Sequence, residues 1–293
     1  MEKPATLAVI AAGCLWGIIN LFVKEMAAAG LSALQISFLR VLVATVILTV
    51  FLVLKDRSKF RIALRDIWMF VGTGIISLVL FNTCYFYAMI HGQASVAVVL
   101  LYTSPIFVML MAALLFKERI TKLKVAALLM TFAGCICVAG ILGSSYALPP
   151  IVLAAGLASG FLYALYTIFG RYALAKYDAM TVTVYTFIFA LAGQVVVCDA
   201  RAACAVSFSS MKMILLTLGI GVFSTILPYV LYTWGLAFVE SGKAAILVAV
   251  EPLVGAVIGM TVFRESHDLI KILGIGLILC AIMMLGRRES KTS

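Results

Sequence analysis

The stretch GTGIIS at residues 72–77 returns as GIGVFS at residues 219–224, an offset of 147 positions. The same offset lays residues 5–142 on the second half of the chain without a gap, and both halves are rich in long apolar runs. We therefore expect two copies of one structural unit, residues 1–146 and residues 147–293. Other pairs at this offset are Lys24 with Arg171, Tyr85 with Tyr232, Pro105 with Pro252, and Lys117-Glu118 with Arg264-Glu265.

Composition assigns most of this chain to a lipid environment. Hydrophobic residues make up 65% of the sequence and charged residues 12%, whereas a soluble domain is about half apolar and about a quarter charged. The formal charge of +10 falls in short breaks between apolar runs, which is typical of orientation signals rather than of a nucleic-acid-binding surface. The sequence contains no P-loop, GxGxxG unit or HExxH helix. We expect no cofactor, no metal site and no nucleic-acid partner.

Ten apolar runs are long enough to cross a bilayer, which takes about 20 residues in a helix. The runs are continuously apolar rather than alternating, so the sequence predicts helices instead of strands. The predicted fold class is an all-α membrane protein with ten transmembrane helices. Each copy holds five spans, an odd number, so the two five-helix repeats should be inverted relative to each other. The predicted spans are 5–23, 34–54, 67–90, 94–115, 123–142, 150–172, 179–198, 212–236, 244–263 and 268–286.

Lysine and arginine residues are unevenly distributed between the two faces of the predicted membrane domain. Of the 22 such residues, 16 fall on the face that carries both termini and five on the opposite face, while Arg40 lies within a span. An excess of positive charge marks the cytoplasmic side of a membrane protein. We therefore expect a multi-pass protein of the cell (plasma or inner) membrane with both termini in the cytoplasm.

Several short motifs mark the two copies. They are Gly13-Cys-Leu-Trp16-Gly, Arg40, Ser104-Pro105 with Lys117-Glu118-Arg119, and Glu251-Pro252 with Phe263-Arg264-Glu265. With two copies at one spacing in ten spans, nearly all of the 293 residues resemble the drug/metabolite transporter superfamily, in its EamA/RhaT-like branch. The resemblance implies an exporter or exchanger of small metabolites with a central cavity and both termini inside. Substrates of the superfamily range over amino acids, purines, sugars and cationic drugs, so the resemblance does not identify the cargo.

Two equivalent spans each contain a proline, and one of them also contains a carboxylate. Pro105 in span 4 and Pro252 in span 9 each remove a helical hydrogen bond, and paired interruptions in both halves are typical of a transporter hinge or site. A static kink is the alternative. Glu251 lies deep in span 9, where an ionisable group is costly and by default functional. It is predicted to bind substrate or to carry a coupling proton, or else to satisfy a donor beside the kink.

Arg40 is the second charged group within a span. Its guanidinium could bind a substrate carboxylate, pair with an acid such as Glu251, or extend to the membrane interface; a structural role is favoured. Aromatic and amide side chains on nearby spans would suit aromatic, heterocyclic or cationic cargo, with packing between helices as the alternative. The predicted substrate-binding residues are Trp16, Asn20, Asn82, Tyr85, Tyr102, Tyr163, Tyr232 and Glu251.

These features favour a secondary-active carrier that works by alternating access. It would be an exporter or exchanger of small amphipathic metabolites such as amino acids, nucleobases or organic cations, with protons as a candidate coupling ion. A channel or facilitator is the alternative, although the spans lack the polar stripes of a water-filled pore, and no catalytic constellation indicates an enzyme. The protein could act as a monomer or a homodimer. Cys198 and Cys204 flank one connection and could form a disulfide on an oxidising side.

Overall fold

The computed structural model describes residues 1–92, 94–140, 149–264 and 269–287. These residues form helices joined by short connections, and no β-strand occurs among them. Nine helical segments are long and apolar enough to cross a membrane, and a further apolar helix, Leu269–Leu285, is slightly shorter. The predicted fold of ten membrane helices is thus confirmed. Spans 1 to 9 are Glu2–Ala28, Ala33–Lys55, Leu64–His91, Ser95–Phe116, Lys122–Ala139, Pro150–Leu174, Ala179–Val197, Met211–Leu236 and Ser241–Thr261, and span 10 is Leu269–Arg287.

Successive spans cross in opposite directions, so the connections lie alternately on two faces of the bundle. We call the face at which span 1 begins the N-terminal face; it carries the connections after spans 2, 4, 6 and 8. The distal face carries the connections after the odd-numbered spans. Ion pairs join connections of the same face, as between Lys59 and Asp178 (3.4 Å) on the N-terminal face and between Glu25 and Lys212 (2.5 Å) on the distal face.

Polar side chains define where several spans begin. The first N–H groups of a helix have no acceptor within the helix, so a side chain that accepts from them fixes the starting residue. Ser32 and Gln35 form a reciprocal capping box at the start of span 2. Asp178 accepts from the N–H groups of Met180 (2.9 Å) and Thr181 (3.2 Å) at the start of span 7.

Three spans are divided near their middle, and two of the divisions precede a proline. Pro105 and Pro252 each occupy the first turn of a new helix, where proline is tolerated because its missing N–H has no helical partner. The interruption predicted from these prolines is present, but it is a helix break just before each proline rather than a bend at it. The helices are Ala94–Leu101 and Ser104–Phe116 in span 4, Ser241–Leu247 and Val250–Thr261 in span 9, and Glu2–Gly17 and Asn20–Ala28 in span 1.

Spans 3 and 8 share another irregularity at equivalent positions. Each contains a π-helical stretch, Gly72–Leu80 in span 3 and Val222–Ile226 in span 8. A π turn is one residue wider than an α turn, and the Ser77 hydroxyl accordingly donates to the carbonyl five residues back, at Gly72 (2.8 Å). Thr225 makes the same contact in span 8 (3.0 Å). The α-helical parts of these spans are Ile67–Val71, Phe81–His91, Met211–Gly221 and Leu227–Leu236, and the 3₁₀ helices Arg57–Phe60 and Leu64–Asp66 lead into span 3.

The two halves pack against each other reciprocally, as a twofold relation between repeats requires. Span 1 packs on spans 8 and 9, and span 6 packs on spans 3 and 4, while span 2 pairs with span 7 and span 5 with span 10. Single residues follow the same rule. Gly72 of span 3 faces the ring of Phe169 in span 6, and at the 147-residue offset Gly219 of span 8 faces the ring of Phe22 in span 1. Each half therefore completes the core of the other.

Glycines allow the closest of these approaches. A β-carbon at Gly13 of span 1 would lie 2.7 Å from the carbonyl oxygen of Val248 in span 9. A β-carbon at Gly160 of span 6 would lie 3.2 Å from the carbonyl oxygen of Leu101 in span 4. Small residues let helix backbones meet in membranes, and here they seat each broken span against the first helix of the other half.

The connection between spans 7 and 8 contains a short helix, Ala200–Ser207, that the sequence did not predict. Asp199 caps it by accepting from the N–H of Ala202 (3.0 Å), and the helix packs on the bundle through Ala203, which is fully buried. Cys198 and Cys204 are both free thiols. The disulfide that the sequence left open is therefore not formed.

Candidate functional site

A cavity of about 540 Å³ lies between the two halves. Sites for small molecules have volumes of about 300–1,000 Å³. The lining residues come from every span except the seventh, and nearly all lie at mid-span or toward the distal face. Tyr229, seven residues before the N-terminal-face end of span 8, lies deepest. The cavity thus occupies the middle of the bundle and extends toward the distal face.

Helical spacing explains why certain side chains converge on this cavity. Residues three or four apart share one face of a helix. Ser37 and Arg40 are related in this way on span 2, and Asn82, Tyr85 and Met89 on span 3. Spans 2 and 3 each thereby direct one helix face toward the cavity.

Two opposite charges face the cavity from different walls. Arg40 projects from span 2, and its guanidinium is close to the hydroxyl of Tyr229 in span 8. Glu251 projects from span 9, with its carboxyl group close to the hydroxyl of Tyr102 in span 4. The two charges act on each other across the cavity, yet no ion pair joins them in the described part of the chain. The predicted Arg40–Glu251 pair is therefore electrostatic and not a direct salt bridge.

Aromatic rings form the deep wall of the site. The Trp16 ring meets the edge of Tyr229, with ring centroids 5.0 Å apart, and lies 5.6 Å from the ring of Tyr232. Tyr232 differs from its predicted place, because it lies behind Trp16 in a small neighbouring pocket and not on the main cavity. Its hydroxyl is hydrogen-bonded to Thr167 of span 6 (2.7 Å), which holds the ring in the packing between spans.

Amide side chains contribute hydrogen-bonding groups to the distal part of the wall. Asn82 donates to the Ser37 hydroxyl (2.8 Å), and Gln194 of span 7 donates to the same oxygen (2.8 Å). This arrangement ties spans 2, 3 and 7 together beside the cavity. Asn20 also lines the cavity, at the start of the second helix of span 1, and its side chain is exposed.

The structure brings most of the predicted residues together. Pro252 also borders the cavity, whereas Pro105 is buried among helices away from it. Sequence reasoning missed Ser37, Phe81 and Lys271; helical spacing from Arg40 and Tyr85 points to the first two, while nothing in the pattern marks Lys271. Among the described residues, no cluster of His, Cys, Asp and Glu could hold a metal ion. The predicted residues that line the cavity are Trp16, Asn20, Arg40, Asn82, Tyr85, Tyr102, Tyr163, Glu251 and Pro252.

The part of the bundle next to the N-terminal face is closed by apolar packing. Leu52 of span 2, Met109 of span 4, Leu236 of span 8 and Leu247 of span 9 belong to one buried cluster. These residues come from both halves, so the closure is made where the two copies meet. None of these four residues lines the cavity.

Polar contacts between the halves reinforce this closure at the N-terminal face. Glu118, just after span 4, accepts from the N–H groups of Ser241 (2.7 Å) and Gly242 (3.1 Å) at the start of span 9. Lys124 of the first half pairs with Glu240 of the second (2.5 Å). We call this set of residues, 118, 124 and 240–242, the inner clasp.

Further contacts join the halves on the same face. The carboxylate of Asp66 accepts from Lys176 (2.5 Å) and from the hydroxyl of Tyr177 (2.8 Å). Tyr185 donates to the carbonyl of Phe60 (2.7 Å). On the distal face, the ion pair between Glu25 and Lys212 is mostly exposed. The bundle is therefore held together at the N-terminal face and contains its cavity toward the other.

Two inverted copies of a five-helix unit, with a mid-membrane cavity between them, define the class of membrane transporters built from structural repeats. Residues 3–140 and residues 150–287 each match the EamA-like transporter family. The chain belongs to this family, within the drug/metabolite transporter superfamily, as its motifs indicated.

Related proteins agree with this assignment. An uncharacterized transporter of Archaeoglobus fulgidus is 25% identical over 284 residues, which cover 96% of this chain and 95% of that protein. The pseudopaline exporter CntI of Pseudomonas aeruginosa is 30% identical over 136 residues, 46% of each chain. A solved crystal structure shares the fold with a TM-score of 0.78 and 18% identity, over 99% of both chains.

Proposed function

We propose that this membrane transporter is a secondary-active carrier that moves a small amphipathic metabolite by alternating access. The supporting observation is the one-sided cavity: it lies at mid-depth between the repeats, extends toward the distal face, and is closed at the N-terminal face. Rocking of two repeats around a fixed central site produces such states in turn. Amino acids, nucleobases and organic cations are the candidate cargoes, because rings, amides and two charges line the cavity.

The moving units would be the two copies, residues 1–146 and residues 147–293. The excess of Lys and Arg on the N-terminal face favours a cytoplasmic location for that face and for both termini. The conformation is then open toward the outside of the cell membrane. An exporter or exchanger is proposed, and the partial likeness to an exporter of Pseudomonas aeruginosa supports that direction.

Glu251 is the candidate coupling residue. It is the acidic group among the cavity-lining residues, and a carboxyl group at mid-membrane depth can hold a proton in one state and release it in the other. Binding of a proton there would make transport depend on the pH gradient. Pure exchange of substrates would need no such step.

Counterflow in proteoliposomes tests the carrier function. Purified protein is reconstituted, the vesicles are loaded with one unlabelled candidate from a panel of amino acids, nucleobases and organic cations, and uptake of the labelled compound is followed. A carrier gives saturable, cargo-selective accumulation that disappears without internal substrate. Flux that rises linearly with concentration and shows no counterflow would instead identify a channel.

Labelling of single cysteines tests the orientation. Cysteines replacing Glu2 and Arg61 should be protected from an impermeant reagent in intact cells and should react with it in inside-out vesicles. Reaction of the two positions from opposite sides would contradict the ten-span arrangement and with it the inverted repeat.

A further inference from the structure

The Arg40 side chain has hydrogen-bonding capacity that the protein leaves unused. Its Nε–H is buried and lacks a hydrogen-bond partner, although an arginine fork offers five N–H donors. The side chain borders the cavity, and the nearby Tyr229 hydroxyl is a neutral group. A buried donor without an acceptor is costly, so a site built in this way fits a ligand that brings an anionic acceptor.

Glu251, on another wall of the cavity, is an anionic group without a cationic partner in an ion pair among the described residues. Its carboxyl group borders the same cavity and is close to the Tyr102 hydroxyl. Lys271 also borders the cavity at the start of span 10, and it already has an interaction of its own. A cationic group supplied by a ligand would therefore complete the surroundings of Glu251.

Tyr163 lies near both charged side chains. It lines the cavity from span 6, and its hydroxyl is influenced by the charges of both Glu251 and Arg40. The ring of Phe81 lies 5.3 Å from it. A ligand held by both charges would thus lie across an aromatic surface, where an apolar or planar body packs well.

Resting on the carrier function proposed above, we propose that the substrate is a zwitterion whose carboxylate binds at Arg40 and whose ammonium group binds at Glu251. The two residues lie on different walls and form no direct ion pair, so one ligand can bridge them. A purely cationic ligand leaves Arg40 unpaired, and a purely anionic one leaves Glu251 unpaired. Each mismatch leaves a desolvated charge without a partner, which selects against singly charged ligands.

Binding to the purified full-length protein tests this assignment with a matched set of probes. Phenylalanine and its isomer 4-(aminomethyl)phenylacetate are zwitterions, phenethylamine carries only the positive charge, and 3-phenylpropanoate carries only the negative charge. Dissociation constants are measured by calorimetry, with thermal shift as a second readout. At least one zwitterion should bind about tenfold or more tightly than both singly charged analogues, since each adds a charge-assisted hydrogen bond.

Two substitutions then separate the two ends of the ligand. Arg40→Gln should remove the preference for the zwitterion over the amine and keep its preference over the acid. Glu251→Gln should do the reverse. This reciprocal pattern would not arise from a general loss of folding, and Arg40→Lys and Glu251→Asp, which keep the charges, should retain the wild-type order. Arg201→Gln and Glu25→Gln remove one exposed charge each outside the cavity and serve as matched controls.

The outcomes are distinguishable from failure of the carrier function. Equal binding of all four probes, absence of any zwitterion preference, or loss of both preferences in both variants would overturn the zwitterion assignment. Saturable counterflow of a singly charged or neutral cargo, with no such preference, would overturn it and leave the carrier intact. Reciprocal binding without any counterflow would instead refute the carrier function alone.

Discussion

Replacing Glu118 by alanine should open the inner clasp and shift the protein away from the conformation described here. The Glu118 carboxylate accepts from the N–H groups of Ser241 and Gly242 at 2.7 and 3.1 Å, and both of these residues are buried. A hydrogen bond to a charged group contributes about 1.5–3 kcal/mol, and loss of a helix cap costs about 0.5–2 kcal/mol. The two bonds share one carboxylate at a membrane face, so a combined loss of about 2 kcal/mol is reasonable, which is a shift of about thirtyfold in population.

The shift can be read from a single cysteine placed below the cavity. Ala245 of span 9 is 5% exposed in the closed region next to the N-terminal face. Ala245→Cys in a cysteine-free background should therefore react with a maleimide from the N-terminal face only while that face is open. While the closed state dominates, the labelling rate is proportional to the open population. Adding Glu118→Ala should therefore raise the rate about thirtyfold, and Glu118→Gln, which keeps an acceptor without its charge, should give a smaller rise.

The distal ion pair supplies the control for this experiment. Glu25 and Lys212 also join the two halves, but their side chains are 52% and 70% exposed, and such pairs contribute about 0–1 kcal/mol. Glu25→Ala should leave the labelling of Ala245→Cys within about fivefold of its starting rate. If Glu118→Ala changes the rate less than Glu25→Ala does, the inner clasp does not stabilise the closed face and the reasoning is wrong.

Three further outcomes are expected. Glu251→Gln should abolish proton-driven transport while the fold persists; an unchanged pH dependence of flux in proteoliposomes would rule out its coupling role. Gly13→Ala should lower the thermal midpoint, because overpacking against span 9 reduces the free energy of unfolding by about 1–3 kcal/mol. Gly276→Ala should leave the midpoint unchanged, because nothing lies within 4 Å of the new methyl group. Equal midpoints for the two variants would contradict the packing described. Cys198 and Cys204 should both react with a thiol reagent in unreduced protein, and a mobility change on reduction would show a bond between them.

The repeat offset predicted more than the number of spans. Because the two copies are related by a fixed shift of 147 positions, any contact between them must recur with the roles exchanged. The contacts of Gly72 with Phe169 and of Gly219 with Phe22 follow this rule. Apolar length and the odd number of spans per copy were enough to predict the inverted halves, since lipid permits few alternatives for a polar backbone.

Other features leave little trace in the sequence. The π-helical stretches in spans 3 and 8 are apolar like the α-helices around them, so composition alone does not mark them. Tyr229 and Tyr232 are three residues apart and share a helix face, so periodicity alone could not place one in the cavity and the other behind Trp16. Lys271 reaches the cavity from the start of span 10, a position that depends on tertiary arrangement rather than on local pattern.

The first span of each repeat packs on spans of the other repeat, and this has a consequence for the order in which the chain assembles during synthesis. The first helix of span 1 packs mainly on spans 8 and 9, which are made near the end of synthesis, while span 6 packs on spans 3 and 4, which are made before it. The helix Glu2–Gly17 is therefore exposed to lipid on its packing face until the last third of the polypeptide has been inserted. A fragment that ends after the fifth helix would lack spans 8 and 9, the packing partners of its first helix.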